Sequence, residues 1–134
     1  MDVKLGVLAD YANITREGKL NILGIFDVIN APAFPFALPL FYVVVSYVVG
    51  ASESKSTKNV EIVLCDEDGD ELLRMPQQLH VERPDNSGSV ITTNQIAGII
   101  GFPFKEPGNY EFDILINGDR KEAIPFRVID ARQK

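Results

Sequence analysis

Gly108-Asn109-Tyr110-Glu111-Phe112-Asp113-Ile114-Leu115-Ile116-Asn117-Gly118-Asp119-Arg120-Lys121-Glu122-Ala123-Ile124-Pro125-Phe126-Arg127-Val128 is the stretch that decides the fold class. Tyr110, Phe112, Ile114 and Ile116 recur at every second residue with Glu111 and Asp113 between them, the period of a strand buried on one face. Asn117-Gly118 is the dipeptide favoured in two-residue hairpin turns, where both central residues need positive φ. Ile124, Phe126 and Val128 return the apolar face. Pro125 has no N–H for a ladder, so its strand is expected at a sheet edge or paired there through a bulge. Pro107-Gly108-Asn109-Tyr110 fits a tyrosine corner, with the ring inward and the hydroxyl bonded back to the backbone; a plain core tyrosine fits equally.

Outward from this hairpin the same two-residue period recurs and helical periodicity is nearly absent. Val3, Leu5, Val7 and Ala9 share one face of a first strand, and beyond the polar turn at Arg16-Glu17-Gly18-Lys19 a second runs from about Leu20 to Ile29. Leu40 to Val49, rich in Val and aromatic residues, is a third, and Val60, Ile62 and Leu64 lie on a fourth. Asp66-Glu67-Asp68-Gly69-Asp70 turns the chain toward Leu72, Leu73 and Met75, and a short strand covers Leu79 to Glu82. Arg83 to Gly88 reads as a loop, and a strand starting near Ser89 reaches at least Thr93. Seven to nine short strands with turn signals between them predict one all-β domain over residues 1–134. The expected form is a two-sheet antiparallel sandwich of immunoglobulin-like or related topology, with a closed barrel as the alternative.

Composition narrows the function classes. The 134 residues are 46% apolar and 24% charged, enough to fold around one core without metal or disulfide. A net charge of −6 with no basic cluster argues against nucleic acid. Pro32, Pro35 and Pro39 interrupt the longest apolar stretch, leaving ten residues and no membrane span. The single Cys65 and a start without a signal-like apolar run predict a cytoplasmic protein. Asn13-Ile14-Thr15 matches a glycosylation acceptor, but in that compartment it is only a turn.

Each chemical candidate has a plainer explanation. His80 and Glu82 face away from Val81 as a solvent-facing pair, and Cys65 has no basic neighbour to lower its pKa, so neither makes a catalyst and no enzyme is expected. One His and one Cys cannot build a zinc site, and Gly98 and Gly101 lack the context of a phosphate loop. Asp66, Asp68 and Asp70 offer oxygen ligands for calcium, but the helix-loop-helix spacing fails at Glu71 and Gln77. A solvated hairpin tip explains them, with a calcium-binding loop as the alternative, and no cofactor is called for.

More informative is Ala33-Phe34-Pro35-Phe36-Ala37-Leu38-Pro39-Leu40-Phe41, where phenylalanines and prolines crowd before the most apolar strand. Either the segment crosses between the sheets and plugs the core, or it forms a rigid protein-contact surface. Strands two and three are moreover apolar on both faces: Leu23, Ile25 and Ile29 oppose Ile22, Phe26 and Val28, and Tyr42, Val44 and Val48 oppose Val43, Val45 and Tyr47. In a two-layer sandwich one of those faces is wet unless another chain or a long loop covers it. The expectation is a homo-oligomer or a protein partner, contacted through Phe34, Phe36, Leu38, Phe41, Tyr42 and Val44.

Leu8-Ala9-Asp10-Tyr11-Ala12 with Gly18 to Asp27 (GKLNILGIFD), and Asn94-Gln95-Ile96 with Phe102-Pro103-Phe104 and Pro107 to Phe112 (PGNYEF), together resemble a family of small uncharacterised bacterial proteins with a domain of unknown function. The resemblance spans most of the chain, with gaps from about Ala51 to Ser89. It implies a bacterial source and a stand-alone β domain, and it brings no activity, ligand or catalytic residue.

Overall fold

The computed structural model describes residues 1–50, 56–81 and 91–132. Among them are nine strands and no helix: β1 (Asp2–Ile14), β2 (Leu20–Phe26), β3 (Val28–Ala31), β4 (Phe41–Val49), β5 (Ser56–Cys65), β6 (Glu71–Val81), β7 (Ile91–Ile99), β8 (Gly108–Ile116) and β9 (Asp119–Asp130). They form a sandwich of a four-stranded sheet, ordered β2-β1-β4-β7, and a five-stranded sheet, ordered β3-β9-β8-β5-β6. No helix is long and apolar enough to cross a membrane.

The hairpin β8–β9 forms as its sequence dictates. Asn117 (φ 50°) and Gly118 (φ 86°) both take positive φ, as the turn demands. Asn117 also ties the turn to β5, its N–H donating to the Asn59 carbonyl (2.7 Å) while its Oδ1 accepts from the Asn59 N–H (3.0 Å). Tyr110, Phe112, Ile114 and Ile116 face the core, and the Tyr110 hydroxyl donates to the Glu106 carbonyl at 2.6 Å, closing a tyrosine corner.

Three expectations need correction. β9 is not an edge strand, because β3 pairs beyond it, and in parallel, so the sandwich is not wholly antiparallel. That pairing begins only at Arg127, whose N–H donates to the Asp27 carbonyl (2.9 Å). Pro125, two residues earlier, points its missing N–H the same way, into a gap where no strand pairs among the described residues, and so costs no ladder bond there. The run Leu20 to Ile29 is two strands rather than one: the chain bends at Asp27 and passes from the four-stranded sheet into the five-stranded one. Conversely, Leu72 to Val81 is one strand, β6; Pro76 is tolerated within it because β6 is the edge of its sheet. The sequence-predicted loop from Arg83 to Gly88 and the strand start at Ser89 lie outside the described residues.

Between the sheets runs a chain of aromatic contacts. Phe41 meets Phe26 and Phe112 edge-on with ring centroids 5.8 and 6.3 Å apart, Phe112 stacks on Phe126 (5.4 Å), and Phe104 meets Phe126 and Tyr110 edge-on. A buried polar link crosses the same core, with the Tyr47 hydroxyl donating to Gln95 Oε1 and Gln95 Nε2 donating to Gln77 Oε1 (2.7 Å). Burial pushes the Tyr47 phenol well above its ordinary range, so it stays a hydrogen-bond donor.

Candidate functional site

The Pro-Phe segment belongs to the core. Phe36 and Phe104 form an antiparallel bridge, each N–H donating to the other's carbonyl at 2.9 and 2.8 Å. Phe34, Phe36 and Leu38 are half-buried against the main cluster, and Phe41 lies inside it at 1% exposure. Val44 is fully buried on the outer side of the four-stranded sheet in a small cluster with Val7, Ala9, Tyr42 and Ile96. As surface residues, Phe41 and Val44 are therefore corrected. One fills the space between the sheets; the other is covered by neighbours on its own sheet.

What remains open is a patch on the outer face of β1 and β2. Register pairs Tyr11 with Leu23 and Ala9 with Ile25. Leu23 and Ile25 are 62% and 61% exposed and Tyr11 47%, while the Tyr11 ring meets the half-buried Tyr42 ring edge-on at 6.1 Å. Sequence alternation placed Leu23 and Ile25 on one face of their strand but could not say which of two apolar faces was wet. Tyr11 carries no signal of its own, since the apolar face read along the first strand, Val3, Leu5, Val7 and Ala9, stops short of it.

Asp66, Asp68 and Asp70 do come together: an oxygen of each lies within 4.8 Å of the others. Asp66 Oδ1 already accepts the N–H groups of Asp68 (3.0 Å) and Asp70 (2.9 Å), and Gly69 takes φ 84°. The Asp66 carboxylate thus holds the turn, as the Thr15 hydroxyl does at the other long hairpin by accepting the Lys19 N–H (3.0 Å).

The Cys65 thiol is not activated. Cys65 Sγ lies 3.9 Å from Asp113 Oδ2, and burial first, then the charges of Asp113, Glu111 and Glu71, push the thiol above its ordinary pKa. That is the reverse of what a reactive thiolate needs. His80 Nδ1 lies 3.3 Å from the hydroxyl of Thr57, its cross-strand partner, and Glu82 lies outside the described residues. Beside Cys65, Glu111 is pushed up by its hydrogen bond with Asp113, and Arg120 bridges both carboxylates at 2.9 and 3.3 Å.

A groove of about 490 Å³ lies where β2 hands over to β3 and is lined by Gly6, Val7, Ile25, Asp27, Glu122 and Pro125 among others. It is shallow in chemistry: two carboxylates face it and no nucleophile does.

Among curated proteins, none matches this chain. Solved structures that this chain is similar to include the alkylpurine DNA glycosylase AlkC of Pseudomonas fluorescens bound to DNA containing an abasic site analog, at 14% identity and a TM-score of 0.48 over 77% of this chain and 27% of that one. A glycosyl hydrolase family 2 member from Bacteroides cellulosilyticus matches at 13% identity and a TM-score of 0.38, over 71% of this chain and 14% of that one. The chain thus spans about a quarter of the glycosylase and a seventh of the hydrolase, and neither likeness bears on function. A family model, described as a family of unknown function (DUF6941), matches residues 4–129, and the chain belongs to that family.

Proposed function

We propose that this chain is a non-enzymatic protein-interaction module whose contact surface is the outer face of β1 and β2, centred on Tyr11, Leu23 and Ile25. The observation that carries this reading is the adjacency of three large, well-exposed apolar side chains beside a strand with one open edge among the described residues. Scattered exposed apolar residues need no explanation, but a contiguous group on a sheet face is the composition of an interface core. The net charge of −6 disfavours nucleic acid as the partner and leaves protein as the class. The tyrosine corner supports an immunoglobulin-like sandwich, the single free thiol at Cys65 supports a cytoplasmic setting, and the family resemblance supports a bacterial source.

A photo-cross-linking residue at position 25, expressed in the native cell, tests this. A discrete protein adduct is expected at position 25 and none at exposed Lys105, on another part of the sandwich; equal or absent labelling at the two positions contradicts the reading.

A second reading, a cation-binding hairpin tip, has one observation in its favour, the convergence of Asp66, Asp68 and Asp70. Millimolar calcium raising the melting temperature of the wild type but not of Asp68→Asn would favour it. No shift, the result we expect, removes it.

A further inference from the structure

We infer that the occupant of this surface is a second copy of the chain, joined antiparallel along the open edge of β2 about a two-fold axis at Leu23, so that the two four-stranded sheets become one of eight. This rests on the contact reading above and adds the partner and the register.

The other edges are guarded. β3 is only four residues long, and β6 carries Pro76 together with the Arg74–Glu71 ion pair. Where β9 runs past β3 its backbone is closed as well: the Ala123 N–H is taken by the Glu122 carboxylate (3.2 Å), and Pro125 has none. β2 has neither proline nor any charged residue from Leu20 to Phe26. β7 is also uncharged, but its exposed residues are Thr92 and Gly98, without an apolar patch beside it.

Hydrogen-bond phase and charge then select one register. The Thr15 N–H donates to the Lys19 carbonyl (2.8 Å), making 15/19 a hydrogen-bonded pair. Alternation along the ladder makes 13/21, 11/23 and 9/25 hydrogen-bonded too, so the backbone groups of Ile22, Gly24 and Phe26 face the open edge. Gly24 kinks the strand (φ 72°), yet Leu23 and Ile25 keep the same register with β1 on either side of it. An axis at Leu23 sets Ile22 opposite Gly24 of the second copy and Leu20 opposite its Phe26, so edge-facing groups meet. On the outer face Leu23 meets Leu23, Asn21 meets Ile25, and Lys19 meets Asp27 of the second copy, at both ends.

Lys19 and Asp27 are exposed and have no ion-pair partner among the described residues. Shifting the axis to Ile22 would set Lys19 opposite Ile25 and leave Asp27 facing the hairpin turn, which also carries Arg16, and an axis at Gly24 would leave Lys19 opposite Ile29, which is buried within its own chain. All three axes keep the hydrogen-bond phase, and of the three the one at Leu23 brings Lys19 and Asp27 together.

Light scattering after size exclusion, from micromolar to near-millimolar protein, tests this with circular dichroism as the folding control. The wild type is expected to reach twice the 14.8 kDa chain mass and Leu23→Lys to stay monomeric. Lys19→Glu and Asp27→Lys should each weaken the dimer about tenfold, since each opposes like charges at two symmetric positions, and the double variant should recover it. A wild-type monomer throughout overturns the second-copy inference, and the contact reading then stands or falls on the cross-link at position 25. A dimer abolished by Leu23→Lys but indifferent to the charge changes overturns the register and keeps the surface. A dimer lost on Thr92→Lys but not on Leu23→Lys places the contact on β7 and overturns both.

Discussion

Replacing Phe41 with alanine separates the core role of the Pro-Phe segment from a surface role. Phe41 is 1% exposed and touches Phe26 from its own sheet and Phe112 from the other, so the ring bridges the two layers. Removing a buried phenylalanine ring costs about 3–5 kcal/mol, the lost transfer energy plus the cavity left between sheets that cannot close on it. In a domain of this size each kcal/mol moves the melting temperature by roughly 3–5 °C, so a drop of about 9–25 °C is expected. Urea unfolding followed by far-ultraviolet circular dichroism and tyrosine fluorescence gives the number, since the chain has no tryptophan. Leu23→Ala is the control: at 62% exposure, and at a concentration where the chain is monomeric, it should cost within about 0.5 kcal/mol. A loss below about 1 kcal/mol for Phe41→Ala, with an unchanged denaturant slope, would refute the placement of this ring in the core.

Tyr110→Phe keeps the ring stack and deletes only the bond to the Glu106 carbonyl, so a loss of about 0.5–1.5 kcal/mol in the same urea assay is expected; no loss would deny the corner a structural role. Hydrogen bonds from Arg132 hold Asp130 below the ordinary aspartate value of 3.8, so its contribution is complete above that pH and is lost as pH falls through the lowered value. Asp130→Asn should therefore destabilise at neutral pH and flatten the acid limb of the urea midpoint against pH, whereas parallel limbs would contradict the pairing. Cys65 should react with a disulfide reagent at neutral pH more slowly than free cysteine and faster once Asp113→Asn removes one of the charges that raise its pKa. Rapid reaction of the wild type would show the thiolate is not disfavoured.

The β8–β9 hairpin was legible because alternation and Asn117-Gly118 are local signals that agree with each other. The division at Asp27 was not: the apolar run from Leu20 to Ile29 keeps its composition while the chain changes sheets, and which sheet a strand joins is a tertiary choice. Pro76 and Pro125 show the same limit. Each forbids one ladder bond, and only the position of the neighbouring strand tells whether that bond was needed. At the candidate site, the doubly apolar character of β2 and β4 correctly marked a sheet with an apolar outer face. Burial then divided it residue by residue: Val44 is covered by Val7, Tyr42 and Ile96, while Leu23 and Ile25 sit on the last strand of the sheet, with no further strand beside them among the described residues.

Amide hydrogen exchange along β2 at low and high protein concentration tests the central claim, that this edge and face are a contact surface, most directly. The edge-facing amides of Ile22, Gly24 and Phe26 are predicted to exchange rapidly in dilute protein and to become protected when concentrated, while those of Leu23 and Ile25, bonded to β1, stay protected throughout. Exchange at Ile22, Gly24 and Phe26 that is rapid and independent of concentration, with protection appearing along β7 instead, would contradict it.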